Sequence, residues 1–185
     1  MKLEPVLHQH LPIFHSSHCL YARYLSKGDS YQDCGHVCER HKIHLQDENG
    51  QDHLVLADMG CRNTVFNAQA QSGADTLAAW LEEGISRYRI EFVDEGSESV
   101  RNVLGAYSKL FEARGLAPEP LWSLLSGVED SNGHAQGASV GSLRSEKERK
   151  AGKGRKTTGQ RRSHKVVVRR GSDAKTPARK KAKSR

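Results

Sequence analysis

The four cysteines constrain this chain more than any other feature, because all of them fall in one stretch near its start. They are spaced C-x14-C-x3-C-x22-C, and no cysteine occurs elsewhere in the 185 residues. Four thiols are the ligand set of a closed metal site or of an iron–sulfur cluster. The spacing therefore predicts one cofactor-binding and metal-binding site formed by Cys19, Cys34, Cys38 and Cys61.

Spacing alone leaves four interpretations of these thiols open. A 4Fe–4S cluster needs four thiolates, one for each iron. Structural zinc also accepts four, but its ligand pairs are usually C-x2-C, whereas the close pair here is C-x3-C. Two disulfides require an oxidising compartment, and four unrelated buried thiols would act as small apolar side chains. The cluster is the interpretation that we favour, with zinc as the alternative.

The chain carries no signal that would take it into a membrane or an oxidising compartment. No apolar run approaches the ~18 residues that a membrane-spanning helix needs. The first residues lack the charged and apolar regions of a secretory signal. We therefore expect a cytoplasmic protein without a membrane partner, while an organelle or the nucleus stays open. A reducing compartment also favours metal ligation over disulfides.

Charge divides the chain into two parts. Residues 1–143 carry a net charge of −8 and residues 144–185 carry +15, which together give the overall +7. From about Glu129 the chain is rich in Gly, Ser, Asn and Gln, and then in Lys and Arg. Such a composition cannot bury enough apolar surface to fold. We expect a folded domain at 1–127 and a disordered tail at 128–185.

Basic clusters in the tail suit a phosphate backbone, which makes RNA an expected partner through residues 144–185. A tail that only adds solubility is the equally weighted alternative. The apolar run Val166–Val168 is interpreted as too short to matter.

Hydrophobic patterning predicts several elements within the folded part. Residues 3–14 alternate like a strand, and two apolar runs around Asn49-Gly50 predict a hairpin over 41–56. Helices are expected at 75–83 and after Gly96-Ser97, with a strand at 85–93 between them. Helix, strand and helix with short links are typical of an α/β fold with a parallel sheet.

Three segments around the cysteines and one later strand share a distinctive set of residues. They are Pro12-Ile13-Phe14-His15-Ser16-Ser17-His18-Cys19 with Leu25-Ser26, Asp33-Cys34-Gly35-His36-Val37-Cys38-Glu39-Arg40-His41, Ala57-Asp58-Met59-Gly60-Cys61-Arg62-Asn63-Thr64, and Arg89-Ile90-Glu91-Phe92. Together they resemble the collagenase-like peptidase U-32 family over about residues 3–114. The combination is fairly specific, whereas each segment alone is weak.

The resemblance implies a (β/α) barrel, which takes at least about 200 residues. The folded part here is shorter and contains about two βα units and a cysteine-rich, cluster-binding insert. We therefore expect a partial (β/α) barrel made of its C-terminal βα units, in a chain that lacks the front of the barrel.

The resemblance also implies two kinds of activity. The family was named for collagenase-like peptidases, while other members resemble iron–sulfur-dependent hydroxylases of RNA bases or of a quinone precursor. Some of the RNA-modifying members depend on prephenate, which makes it an implied co-substrate. No Ser-His-Asp or Cys-His catalytic set stands out in the sequence, and no H-E-x-x-H zinc-protease motif occurs. We therefore expect an RNA hydroxylase; a peptidase and a non-catalytic, zinc-stabilised module that binds nucleic acid are the alternatives.

Three residues outside the cysteine set are candidates for catalysis. In a barrel, His8, Arg89 and Glu91 would point inwards near the mouth. Arg89 could hold an anionic group, and Glu91 could move a proton or accept a base amino group. An internal Arg89–Glu91 ion pair is the equally weighted alternative.

Overall fold

The computed structural model describes residues 3–129 and 133–143, together with the backbone of 165–170. The rest of the predicted tail, with the basic clusters at 161–162 and 179–181, lies outside the described residues.

Nine strands and four α-helices are present in this part of the chain. The strands are β1 (Val6–Gln9), β2 (Pro12–Ser16), β3 (His41–Gln46), β4 (Asp52–Ala57), β5 (Asn63–Phe66), β6 (Ala70–Ser72), β7 (Arg89–Ile90), β8 (Ala138–Ser139) and β9 (Lys165–Arg170). The helices are α1 (Leu20–Leu25), α2 (Leu77–Glu82), α3 (Ser97–Glu112) and α4 (Glu119–Ser126). Short 3-10 helices cover Val37–Glu39, Ala74–Thr76 and Gly141–Leu143.

The strands form two open sheets. Sheet A has the order β7-β1-β6-β8, in which β1 is parallel to β7 and antiparallel to β6. Sheet B has the order β2-β5-β4-β3-β9, and every neighbouring pair in it is antiparallel. The predicted mixed α/β class is confirmed. The predicted parallel sheet is wrong for most pairs, and the described strands do not close into a barrel.

Sheet A is covered by helices, and the larger hydrophobic core lies between them. Gly96 precedes α3, and Val103, Tyr107 and Leu110 recur on one face of that helix and are buried. This spacing follows the helical repeat, so a single stripe of α3 meets the sheet. The buried members of the core are Leu7, Ala74, Leu77, Val103, Tyr107, Leu110, Leu121 and Leu125.

Helix α3 ends where two helices approach closely. Gly115 follows it with a φ of +75°, and its N–H donates to the Leu110 carbonyl at 2.8 Å. A Cβ at this position would lie 2.5 Å from the Ala78 nitrogen of α2. Glycine is therefore required here by both conformation and space.

A second core packs α1 against sheet B. Tyr21 of α1 is 2% exposed, and its hydroxyl donates to the Val55 carbonyl at 2.6 Å. Its buried partners in the sheet are Ile43, Leu45, Val55 and Val65. The hydroxyl bond satisfies the one polar atom of Tyr21, so the ring can be buried at little cost. This contact fixes the start of α1 and therefore the position of Cys19.

The hairpin predicted around Asn49-Gly50 is confirmed as β3 and β4, paired from Ile43↔Val55 to Gln46↔Asp52. Gly50 has a φ of +79°, which glycine adopts without strain.

Two predicted strands differ from the structure. Residues 3–14 contribute to β1 and β2 in different sheets rather than to one strand, and His10 and Leu11 lie between the two. Only Arg89–Ile90 of the predicted strand 85–93 pairs with a neighbour. Alternation marks extended backbone, but strand length depends on how many residues of a partner lie opposite.

Part of the segment that was predicted to be disordered is ordered against the folded body. Gln136 exchanges two hydrogen bonds of 2.7 Å with the backbone of Asp52, and the Ser142 N–H donates to Gln71 at 2.8 Å. The run Val166–Val168 lies within β9, which pairs with β3 along six residues. The interpretation of this run as too short to matter is therefore wrong.

Candidate functional site

The topology of sheet B brings all four cysteine-bearing segments to one end of the sheet. Antiparallel order places the end of β2, the start of β5, the end of β4 and the start of β3 side by side. Cys19 follows β2, Cys38 precedes β3, and Cys61 lies between β4 and β5. Cys34 is joined to Cys38 by a short turn. We call this edge the cysteine end.

Local structure positions each of these thiols. Cys19 caps α1, and its Sγ accepts a hydrogen bond from the Ala22 N–H at 3.5 Å. Gly35 and His36 are both left-handed, with φ of +66° and +50°, and they reverse the chain between Cys34 and the 3-10 helix that contains Cys38. Such tight reversal lets both ends of a C-x3-C pair face one point.

Cys61 lies in the tight turn that links β4 to β5, with a φ of +57°. Asp58 and Arg62 clamp this turn. The Asp58 N–H donates to the Arg62 carbonyl at 2.9 Å, and the Arg62 Nε donates to the Asp58 carboxylate at 2.9 Å. These bonds hold the unfavourable left-handed conformation of Cys61 in place.

None of the four thiols is fully buried, and Cys19 and Cys34 lie near enough to Cys38 to affect its ionisation. All four are free; Cys38 is exposed and the other three are half-buried. Partial burial and the neighbouring charges of Cys19 and Cys34 raise the pKa of Cys38. Clustered thiols resist ionisation in this way until a cation compensates the accumulating negative charge.

The donor set at this end fits an iron–sulfur cluster or zinc, both of which take four thiolates. Within residues 3–129 and 133–143, no three His, Cys, Asp or Glu side chains are already arranged to hold a metal ion. Binding at the cysteine end therefore requires the thiol side chains to turn towards a common centre.

A cavity of about 60 Å³, lined by both apolar and polar side chains, lies between the two sheets, away from the cysteine end. His8 of β1 lines it, together with His44 and Asp52 of sheet B. His44 lies three residues after His41, the first residue of β3. At the rise of a strand, that places His44 about 10 Å from the cysteine end. A cavity of this size has room for a few water-sized groups. His8 is therefore separated from the cysteines.

An ion pair closes one side of this cavity. His10 Nε2 lies 3.2 Å from the Glu95 carboxylate, and its Nδ1 lies 2.8 Å from the Asn67 carbonyl oxygen. Glu95 also accepts hydrogen bonds from the Val93 and Asp94 N–H groups. Burial alone would raise the pKa of Glu95, but the hydrogen bond from His10, the Val93 N–H and the charge of His10 lower it to about 2.

His8 belongs to a buried hydrogen-bond chain. Its Nδ1 lies 3.2 Å from the hydroxyl oxygen of Tyr107, which lies 2.7 Å from the Ser72 hydroxyl. Burial and the nearby His10 charge lower the pKa of His8 to about 4, so its imidazole is neutral at pH 7. A neutral histidine held through Nδ1 suits a structural role or proton transfer inside the cavity.

Removing the Tyr107 hydroxyl is expected to destabilise the protein. Tyr107→Phe leaves His8 and Ser72 without their shared partner inside the core, which costs about 1–3 kcal/mol. Urea unfolding at pH 7 measures this cost. Tyr31→Phe removes a hydroxyl from a side chain that is 62% exposed and is expected to change stability by less than about 0.5 kcal/mol. Equal losses of stability in the two variants would contradict a stabilising role for the buried hydrogen bonds of Tyr107.

Arg89 and Glu91 lie on the surface rather than in an interior. They form an ion pair of 3.1 Å with side chains 55% and 41% exposed. His8 pairs with Ile90 between them, but its side chain is buried. The structure therefore joins Arg89 to Glu91 and separates both from the imidazole of His8. An ion pair was one of the two interpretations of these residues, although it is exposed and not internal.

Sequence reasoning did not identify Glu95, the partner of His10, or Asn63 at the cysteine end as functional candidates. Asn63 accepts a hydrogen bond through Oδ1 from the Leu20 N–H and so ties β5 to α1. The signal for Asn63 was its place in the segment from Ala57 to Thr64, two residues after Cys61. No local pattern indicates the pairing of His10 with Glu95, because the two residues are far apart in the chain.

Comparisons of this chain with protein-family models, curated proteins and solved structures find no match. In the part of the chain that the structure describes, no helix has the length and apolar character to cross a membrane.

Proposed function

We propose that this chain is a peptidase U-32-like protein with a 4Fe–4S-dependent, hydroxylase-type activity on RNA. The observation that carries the proposal is the gathering of four free thiols, from segments far apart in sequence, at one end of sheet B. Four accessible thiolates are the ligand set of such a cluster. When bound, the cluster supplies the redox chemistry, while the protein supplies binding, orientation and electrostatics.

The chain's own residues have defined roles in this proposal. Cys19, Cys34, Cys38 and Cys61 hold the cluster. The Asp58–Arg62 clamp, with a second contact of 2.9 Å between Arg62 Nη2 and the carboxylate, presents Cys61. Thiolates that bind iron are not free to act as nucleophiles, which weighs against a cysteine peptidase.

Strand β9 supports RNA as the substrate class. Its register with β3 pairs Arg170 with His41 and Arg169 with Lys42. Since β3 begins at the cysteine end, β9 ends there, and the positions of Arg169 and Arg170 lie at that end of the sheet. Residues 144–185, which include β9, have a net charge of +15. Basic residues beside the centre would draw a phosphate backbone to it, with an affinity that falls as salt rises.

A partial (β/α) barrel is part of the same proposal. Strands β1 and β7 are parallel neighbours, and α3 follows β7 and packs back on the sheet through Tyr107. This arrangement has the form of a βα unit. The antiparallel sheet B then corresponds to the cysteine-rich insert.

Anaerobic purification followed by an RNA assay tests the proposal. We expect a brown protein with about four irons and four sulfides per chain. With transfer or ribosomal RNA, in the presence of prephenate, mass spectrometry of digested nucleosides should show the gain of one oxygen atom on a base. Colourless protein with one zinc would favour the nucleic-acid-binding module, and peptide hydrolysis that survives removal of iron would favour a peptidase.

A further inference from the structure

Asn63 has a buried donor that no group in the described part of the chain satisfies. Its side chain is 0% exposed, and its Oδ1 accepts from the Leu20 N–H. The Leu20 N–H can donate only to the amide oxygen, so this contact fixes which end of the amide is Oδ1. The opposite end is therefore Nδ2. Within the described residues, Nδ2 has no hydrogen-bond partner. Leaving such a donor unsatisfied costs about 1–3 kcal/mol, so its position calls for an explanation.

The surroundings of Asn63 suggest the missing acceptor. Asn63 is the first residue of β5, opposite Ser16 of β2 and Ala57 of β4. It follows Cys61 by two residues, and the backbone N–H that it accepts belongs to Leu20, directly after Cys19. The side chain is therefore anchored between two of the cysteine-bearing segments. Sulfur is the acceptor that these segments would supply once the thiols are ionised and bound to metal.

We infer that Asn63 Nδ2 donates a hydrogen bond to a sulfur atom of the centre held by the four cysteines. This inference rests on the proposed function for the presence of that centre. Asn63 acts through the sulfur and is a positioning residue, not a ligand. Hydrogen bonds to cluster sulfurs stabilise the more negative, reduced state and so raise the reduction potential. The bond would also satisfy the buried amide.

Asn63→Asp is the informative substitution, because it keeps the oxygen that accepts from Leu20 and removes the N–H donor. We expect the variant to assemble its cluster, with a lower reduction potential and faster loss of iron in air than the wild type. Asn67→Asp is the matched control. Asn67 immediately follows β5, at the end of the strand opposite to Asn63, and its Nδ2 already donates to the Gln69 carbonyl at 3.1 Å. The potential of this control should equal that of the wild type.

A measurement on the unaltered protein makes the test independent of how the variant folds. With ¹⁵N introduced only into asparagine side-chain amides, pulsed electron paramagnetic resonance of the reduced cluster should detect one coupled amide nitrogen. Absence of this coupling, or an unchanged potential in folded Asn63→Asp, would overturn the inference. If the wild type binds no cluster, the proposed function fails first, so the two failures are distinguishable.

Discussion

Replacing Cys61 with serine is expected to lower the iron content of anaerobically purified protein by more than about tenfold, because a 4Fe–4S cluster needs all four thiolates. Serine keeps nearly the volume of cysteine, so the clamped turn between β4 and β5 should persist. Its hydroxyl does not ionise near neutral pH and is a poor ligand for iron. Iron and sulfide analysis and the visible absorption of the cluster measure the loss.

Cys61 gives the sharpest test of convergence because it comes from a separate turn, with 22 residues between it and Cys38. Met59→Ser is the matched control, since Met59 lies in the same turn and is fully exposed. This control should keep its iron. If Cys61→Ser also keeps wild-type iron and sulfide, three cysteines suffice, and the four-thiolate centre is contradicted.

The elements that local sequence determines were predicted well. The β3–β4 hairpin follows from Asn49-Gly50 between two apolar runs, since a positive φ is available to glycine at that point. Helix α3 follows from the spacing of Val103, Tyr107 and Leu110 after Gly96. That Cys38 and Cys61 lie at the same end of sheet B could also be anticipated, because the β3–β4 hairpin returns the chain to the end at which β3 begins.

The parts that could not be predicted depend on contacts between distant residues. Nothing local shows that residues 3–14 divide between two sheets, or that Lys165–Arg170 pairs with β3. The His10–Glu95 ion pair likewise needs the fold to bring two chain segments together. Arg89 and Glu91 were expected in a barrel interior, but an open sheet leaves that edge exposed. Whether one face of a strand is buried depends on the elements that pack against it, and an alternating sequence pattern does not identify those elements.

Acid is expected to weaken the fold in two steps, the first of which is set by His8. The pKa of His8 is about 4 in the folded protein, against 6.5 as its ordinary value, mainly because of burial and secondly because of the His10 charge, with Glu95 opposing both. The unfolded chain therefore binds a proton at a higher pH than the folded chain does. The contribution of His8 to the free energy of unfolding is fully present above pH 6.5 and is lost as the pH falls towards 4.

Glu95 sets the second step. Its pKa is lowered from 4.5 to about 2, so the folded state holds the ionised carboxylate below the pH at which the unfolded chain takes up a proton. This contribution is lost between about pH 4.5 and 2. The two windows meet near pH 4, and neither group contributes a change of stability between pH 7 and 8.

Urea unfolding at pH 7, 6, 5 and 4 measures the first step, which is expected to lower the free energy of unfolding by about 3 kcal/mol. His8→Gln removes the titrating group and should flatten this slope, although its stability at pH 7 is lower through the lost contact with Tyr107. His15→Gln changes an exposed histidine that lies 2.9 Å from the Thr64 hydroxyl and should keep the slope. The fold resists protonation of the buried His8 imidazole between these pH values. If the free energy of unfolding of His8→Gln falls as steeply with acid as that of the wild type, other groups cause the acid sensitivity.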